Sequence, residues 1–137
     1  MKKNLNLLKD IYISTENSSN TLNHLLPKIK NQTFRKLILS QINCFDIINA
    51  DLKNEISNLG EKAPANKVGK FTTKINSFIY NTESEIAEYI IRDSTGKIIN
   101  LTKNTNKNAS ITPMCYNLIK KVIKAEQENI DSIKEFL

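Results

Sequence analysis

The single histidine, the two cysteines and the placement of the carboxylates limit the chemistry open to this chain. A two-iron centre inside a helical bundle takes one Glu from each of two helices and Glu-x-x-His from each of the other two. The reason is that two hard cations need several carboxylates and two imidazoles aimed inward at one depth. Here the only histidine is His24, and no Glu-x-x-His occurs. His24 lies opposite the apolar stripe of its helix and is expected in solvent. Where a ligand histidine would stand, three residues after an inward position, the chain has Cys44 after Gln41 and Asn129 after Glu126. Glu16 and Glu88 turn away from their stripes.

Five polar residues interrupt otherwise apolar stripes: Thr15, Ser18, Gln41, Ser94 and Glu126. Stacked at ~1.5 Å per residue, Thr15, Ser18, Ser94 and Glu126 fall near mid-bundle, and Gln41 lies somewhat higher. This predicts a buried polar layer around one carboxylate. Hydroxyl and amide donors would satisfy a buried Glu and fix helix register. The sharper alternative is a weak site for one cation, with Glu126 as the candidate metal ligand. No residue is assigned a catalytic or cofactor-binding role, and no cofactor is expected. Cys115 opens the last helix and His24 closes the first facing outward, so a Cys–His dyad is not expected. Ser–His–Asp arrangements, Gly-rich phosphate loops and zinc spacings are absent. Tyr12, Tyr80, Tyr89 and Tyr116 are scattered and read as packing residues.

The elements that hold these residues are all helical. Gly and Pro number three each and Trp is absent, in a chain of 137 residues that fits one domain, 1–137. So few breakers leave room for long helices and argue against a β-sandwich. Helix 1 is predicted from about Asn4 to Leu26, with Leu8, Ile11, Thr15, Ser18, Leu22, Leu25 and Ile29 on one face and Pro27 ending it. Helix 2 follows a turn at Lys30–Gln32 and runs from about Thr33 to Leu59. Phe34, Ile38, Gln41, Phe45, Ile48, Leu52, Ile56 and Leu59 form its stripe, and Gly60 is its stop. Leu39, Ile47 and Ala50 make a second apolar strip on helix 2, one that needs the middle connection or a partner chain to cover it.

Between Glu61 and Asn81 the residues Val68, Phe71, Ile75, Phe78 and Ile79 repeat at helical spacing and predict a short extra helix. Thr82 and Glu85 match a capping box. It opens helix 3, expected from about Glu83 to Lys103 or slightly beyond on Ile86, Ala87, Ile90, Ser94, Ile98 and Leu101. A loop over Asn104–Ser110 follows. Thr112 as N-cap and Pro113 at the first helical position start helix 4, whose stripe is Tyr116, Ile119, Ile123, Glu126, Ile130, Ile133 and Leu137.

Two tightly joined helix pairs with a long middle connection predict an all-α, antiparallel four-helix bundle with one long crossover, in which helix 2 runs parallel to helix 3. The stretches Asn6–Tyr12, Leu25–Lys28, Glu85–Glu88 with Ser94-Thr95, Asn129–Asp131 and Phe136-Leu137 resemble an uncharacterised bacterial family of ferritin-like four-helix-bundle proteins. The resemblance spans nearly the whole chain. It implies the fold and no activity.

The net charge is +6, carried almost wholly by Lys, with Arg35 and Arg92 the only arginines. Lys, Asn and Ile dominate, which points to an AT-rich genome such as that of a low-GC bacterium. A nucleic-acid surface favours Arg forks and interleaved aromatics. Lys9, Lys53, Lys97 and Lys134 are instead spread along the chain, with Lys120, Lys121 and Lys124 the densest group, so a nucleic-acid role is the lesser alternative. No apolar run approaches the ~20 residues of a membrane span, and no signal-peptide core follows Met1-Lys2-Lys3. Two cysteines without a CxxC are expected as free thiols in the cytoplasm. The sequence thus reads as a non-enzymatic structural or protein-interaction module. A protein partner, or a second copy, would bind through helix 2 or the crossover. Metal binding and association with nucleic acid are the alternatives.

Overall fold

The computed structural model describes residues 2–65, 82–108 and 110–137. All regular structure in them is helical. There are four long helices, α1 (Lys2–Leu25), α2 (Gln32–Asn58), α3 (Glu83–Lys107) and α4 (Pro113–Ile133), with a 3₁₀ turn at Leu26–Lys28 between α1 and α2 and another at Lys134–Phe136 after α4. The predicted short helix over Val68–Ile79, with Tyr80, lies outside the described residues.

Each boundary has a local cause. Pro27 sits in the 3₁₀ turn that ends α1, and the Arg35 Nη1 group donates to the Leu26 and Ile29 carbonyls at 2.8 and 2.9 Å. These bonds satisfy carbonyls that the end of a helix leaves bare. α2 starts at Gln32, a residue earlier than expected, because the Asn31 side chain accepts from the Phe34 N–H at 3.0 Å and acts as N-cap. Its end carries the predicted glycine: Gly60 has φ +80°, its N–H reaches the Ser57 carbonyl at 2.9 Å, and the Glu61 N–H reaches Ile56 at 3.3 Å. That is a Schellman closure. Gly60→Ala is therefore expected to lower stability by about 1 kcal/mol, the strain of a β-carbon at positive φ, as read from a urea melt. No loss would mean that the turn relaxes to another conformation. Thr82 caps Glu85 N at 3.1 Å, and Thr112 caps Cys115 N at 3.3 Å with Pro113 next to it. Both caps were expected.

α3 continues past Lys103 to Lys107, into the stretch from Asn104 expected as a loop. The polar tail stays helical because its side chains bond back one turn. Thr105 Oγ1 donates to Leu101 O at 2.7 Å, and Asn108 Nδ2 donates to Asn104 O at 2.6 Å.

The stripes of α1 to α3 become the core: Leu8, Ile11, Leu22, Leu25, Phe34, Ile38, Phe45, Leu52, Ile56 and Ile90 are all buried. The stripe of α4 is broader than the expected one: Ile119, Glu126, Ile130 and Ile133 are buried as expected. Tyr116 and Leu137 are exposed, while Cys115, Leu118, Val122, Ala125 and Asn129 are buried. α4 packs on both α2 and α3, so it buries a wider arc than a single line of residues defines. α1 packs on α2 and on α3.

Side-chain bonds fix which levels meet. Ser19 Oγ donates to Asp46 at 2.6 Å and Thr15 donates to Asn49, joining α1 to α2. Asn4 holds Ser110 O and Thr112 N at 3.2 and 3.3 Å. Glu83 accepts from the N–H groups of Lys30 and Asn31 at 2.8 and 2.9 Å. The Phe34 and Phe136 rings stack with centroids 4.3 Å apart. No helix of the described residues is long and apolar enough to cross a membrane.

Candidate functional site: a buried carboxylate at mid-bundle

Glu126 is fully buried on α4. Both of its oxygens are held by hydroxyls from other helices: Ser18 Oγ donates to Oε2 at 2.7 Å and Ser94 Oγ donates to Oε1 at 2.8 Å. Each serine is in turn supplied with a proton donor. Lys97 Nζ donates to Ser18 Oγ at 2.8 Å, and Asn129 Nδ2 donates to Ser94 Oγ at 3.0 Å. Lys97 also pairs with Asp93, one turn away, at 2.8 Å. Every bond in this chain points toward the carboxylate, the polarity that an ionised acid requires. Ser18 has a second acceptor, the Ser14 carbonyl at 3.2 Å, but its one proton goes to the nearer and charged oxygen.

Burial pushes the Glu126 carboxyl above the usual range, and the nearby Asp93 adds to that. Lys97 and the hydroxyls of Ser18 and Ser94 pull the other way without cancelling it. The sign for stability follows. A carboxyl with a raised folded pKa holds its proton more tightly in the folded state, so ionising it costs stability. That cost is absent below the unfolded carboxyl range and grows as pH rises through the folded value. Glu126→Gln removes the titration. Its stability relative to wild type is expected to improve as pH rises above the ordinary carboxyl range of about 4 and to level off once the folded carboxyl has ionised, measured by thermal melts across pH. A difference independent of pH would show that the carboxyl is unperturbed.

Of the five residues expected in a polar layer, all are buried, but only Ser18 and Ser94 reach Glu126. Thr15 bonds instead to Asn49 and to the carbonyls of Ile11 and Tyr12. Gln41 holds an unpartnered Oε1, as Asn129 does an unpartnered Oδ1. The sequence reading missed Lys97. By charge alone it groups with the solvated lysines, yet its side chain is only 13% exposed. The signal was available: Lys97 stands seven residues after Ile90 and four before Leu101, in phase with the buried stripe, with Asp93 one turn back to balance it.

His24 also departs from expectation. It is half-buried, and its Nε2 is buried with no hydrogen-bond partner. Glu88 points outward as expected and pairs with Arg92 at 3.6 Å.

Among the described residues no three of His, Cys, Asp and Glu come together as a metal-binding group. Cys44 and Cys115 are both free thiols. Burial raises the pKa of each, and Glu128 and Glu126 raise Cys44 further, which keeps both protonated and poorly nucleophilic. On the outer face of α4, Lys120, Lys121 and Lys124 are exposed, with Lys120 Nζ 4.7 Å from the centre of the Tyr116 ring. Glu128 and Asp131 follow one turn on, so the basic group is short. Compared with protein-family models, curated proteins and solved structures, the chain matches none.

Proposed function

We propose that this chain is a ferritin-like antiparallel bundle with a single long crossover, serving as a non-enzymatic structural or protein-interaction module whose mid-bundle carboxylate is a register device. The topology is supported by the level-fixing contacts. Glu83 beside the Lys30-Asn31 turn and Asn4 beside Ser110 and Thr112 run α1 against α3. Thr15 with Asn49 and Ser19 with Asp46 run α1 against α2. Phe34 against Phe136 runs α2 against α4. On this reading α2 and α3 start at the same end, which requires a crossover between Gly60 and Thr82.

The observation that carries the role is the saturation of Glu126: each oxygen accepts from a serine hydroxyl, and the adjacent cation is the chain's own Lys97. A carboxylate so enclosed offers no ligand position to a metal unless the serines leave. The carboxylate and its partners stand on three different helices, α4, α1 and α3, so a slip of any one by a turn would strand a buried charge. Buried polar groups of this kind can specify register at some expense in stability.

Thermal melts of the full chain with about 1 mM Fe²⁺, Mn²⁺ or Zn²⁺ test this, since a ligand that binds only the folded state raises the melting temperature. The expected result is no shift for wild type or for Glu126→Gln. A metal-dependent rise in wild type that Glu126→Gln loses would replace the structural role with a metal site.

A further inference from the structure

The net charge of the chain resides in one stretch. Residues 94–125 hold six lysines and no Asp or Glu, while the rest of the chain balances 14 basic residues against 14 acidic ones. The stretch closes on itself. Its first residue, Ser94, donates to Glu126, the residue just after its last, at 2.8 Å. The second half of α3 and the first half of α4 therefore share one end of the helix pair. The basic group that is short along α4 continues across to α3.

Lys97 turns toward Ser18 and Glu126. The other five, Lys103, Lys107, Lys120, Lys121 and Lys124, are exposed. Among the described residues none of the five has an ion-pair partner. Lys97, Asn100 and Asn104 line a groove toward α1, and Asn117 and Lys121 line another toward Asp51 and Glu55 of α2. The side that remains is the outer face shared by the two helices. On α3 it carries Ile99, Lys103 and Lys107, and on α4 Tyr116, Lys120 and Lys124, in each case one turn after another. Ile99 and Tyr116 are 48% and 43% exposed, so apolar surface stands among the lysines. Lys120 lies along Tyr116, with its ammonium 4.7 Å from the ring centre.

We infer that this outer face of α3 and α4 docks on the surface of an anionic phospholipid bilayer, with the two helices lying flat on it. Lysine stems run along apolar surface and set their ammonium groups among the lipid phosphates. Ile99 enters the boundary between headgroups and acyl chains, and Tyr116 sits at headgroup level, where an amphipathic ring is favoured. Nucleic acid would be drawn by the same charge. It has no use for an exposed aliphatic side chain among its phosphates, and the stretch holds no Arg to fork onto phosphate or base edges. The inference goes beyond the proposed role of Glu126, and no step of it uses that role.

Flotation of the full chain with vesicles tests it, using phosphatidylcholine alone or with about 30% phosphatidylserine, at about 20 mM and about 500 mM salt. The expected result is binding to the anionic vesicles at low salt, little at high salt and none to the neutral ones. Lys103→Ala with Lys120→Ala should weaken partition about twentyfold, at about fivefold for each lysine. Ile99→Ser should weaken it about tenfold with no change of charge. Lys36→Ala with Lys53→Ala, which removes the same charge from α2, should leave most of the binding, and circular dichroism checks that every variant folds. A wild type that stays off anionic vesicles at low salt overturns the inference. An equal loss from the two lysine pairs also overturns it, by showing attraction to net charge and not to this face. Binding indifferent to Ile99→Ser overturns it too. Retention on DNA that the patch lysines control, without vesicle binding, would give the face to nucleic acid instead.

Discussion

Replacing Ser18 and Ser94 together by alanine is expected to destabilise the protein by about 3–5 kcal/mol at neutral pH, the cost of a buried charge stripped of its partners. Among the described residues the two hydroxyls are the only groups that bond to Glu126, and the side chain has no exposed surface. Lys97 would lose Ser18 and keep Asp93; Asn129 would lose the acceptor of its amide. Two controls separate charge from packing. Adding Glu126→Leu to the double variant should recover most of the loss, because an apolar side chain of similar size needs no donors. Acidification should narrow the gap to wild type, because a protonated carboxyl is far cheaper to bury than an ionised one. Urea unfolding at two pH values measures both. A loss under about 1 kcal/mol would mean that the two hydroxyls contribute no more than an ordinary hydrogen bond.

Phe34→Ala is expected to cost a similar amount, about 3–5 kcal/mol. The ring is fully buried at the start of α2. It lies nearly parallel to Phe136, at 10°, and so clamps the last residues of the chain onto the bundle. The variant should release that end, so carboxypeptidase should trim the C-terminus faster than in wild type. Phe136→Ala should cost less, since Phe136 is only partly buried. A double-mutant cycle should return about 0.5–1.5 kcal/mol of coupling for the ring pair. Independent, additive losses would show that the stacking itself contributes nothing.

Much of the helical content was legible in the sequence. The stripes of α1 and α2 repeat every three or four residues over long stretches, and a signal that redundant survives local exceptions. The caps at Thr82 and Thr112 and the stop at Gly60 were legible because capping is decided within four residues of chain. The end of α3 was not. Asn104 to Lys107 look like a loop by composition, and only the back-bonds of Thr105 and Asn108 to the preceding turn keep that tail helical. The α4 stripe was legible at Ile119, Glu126, Ile130 and Ile133, but its width was not: Cys115, Leu118, Val122, Ala125 and Asn129 are buried beside it and Tyr116 is exposed. A single line of residues cannot describe a helix wedged between two neighbours.

What the sequence by itself determined is therefore a set of faces: which side of each helix turns inward, and that Glu126, Ser18 and Ser94 must share an interior. Periodicity along one helix carries that information because it depends only on residues a turn apart. Which residues then touch was decided by the tertiary structure alone. Ser18 and Glu126 are separated by 108 residues and Lys97 and Ser18 by 79. Contacts across such distances depend on the relative height and rotation of whole helices, which no local pattern encodes. Lys97 shows the difference most clearly. Its spacing put it in phase with a buried stripe, its charge argued for solvent, and only the position of Ser18 on the neighbouring helix settled where the ammonium goes.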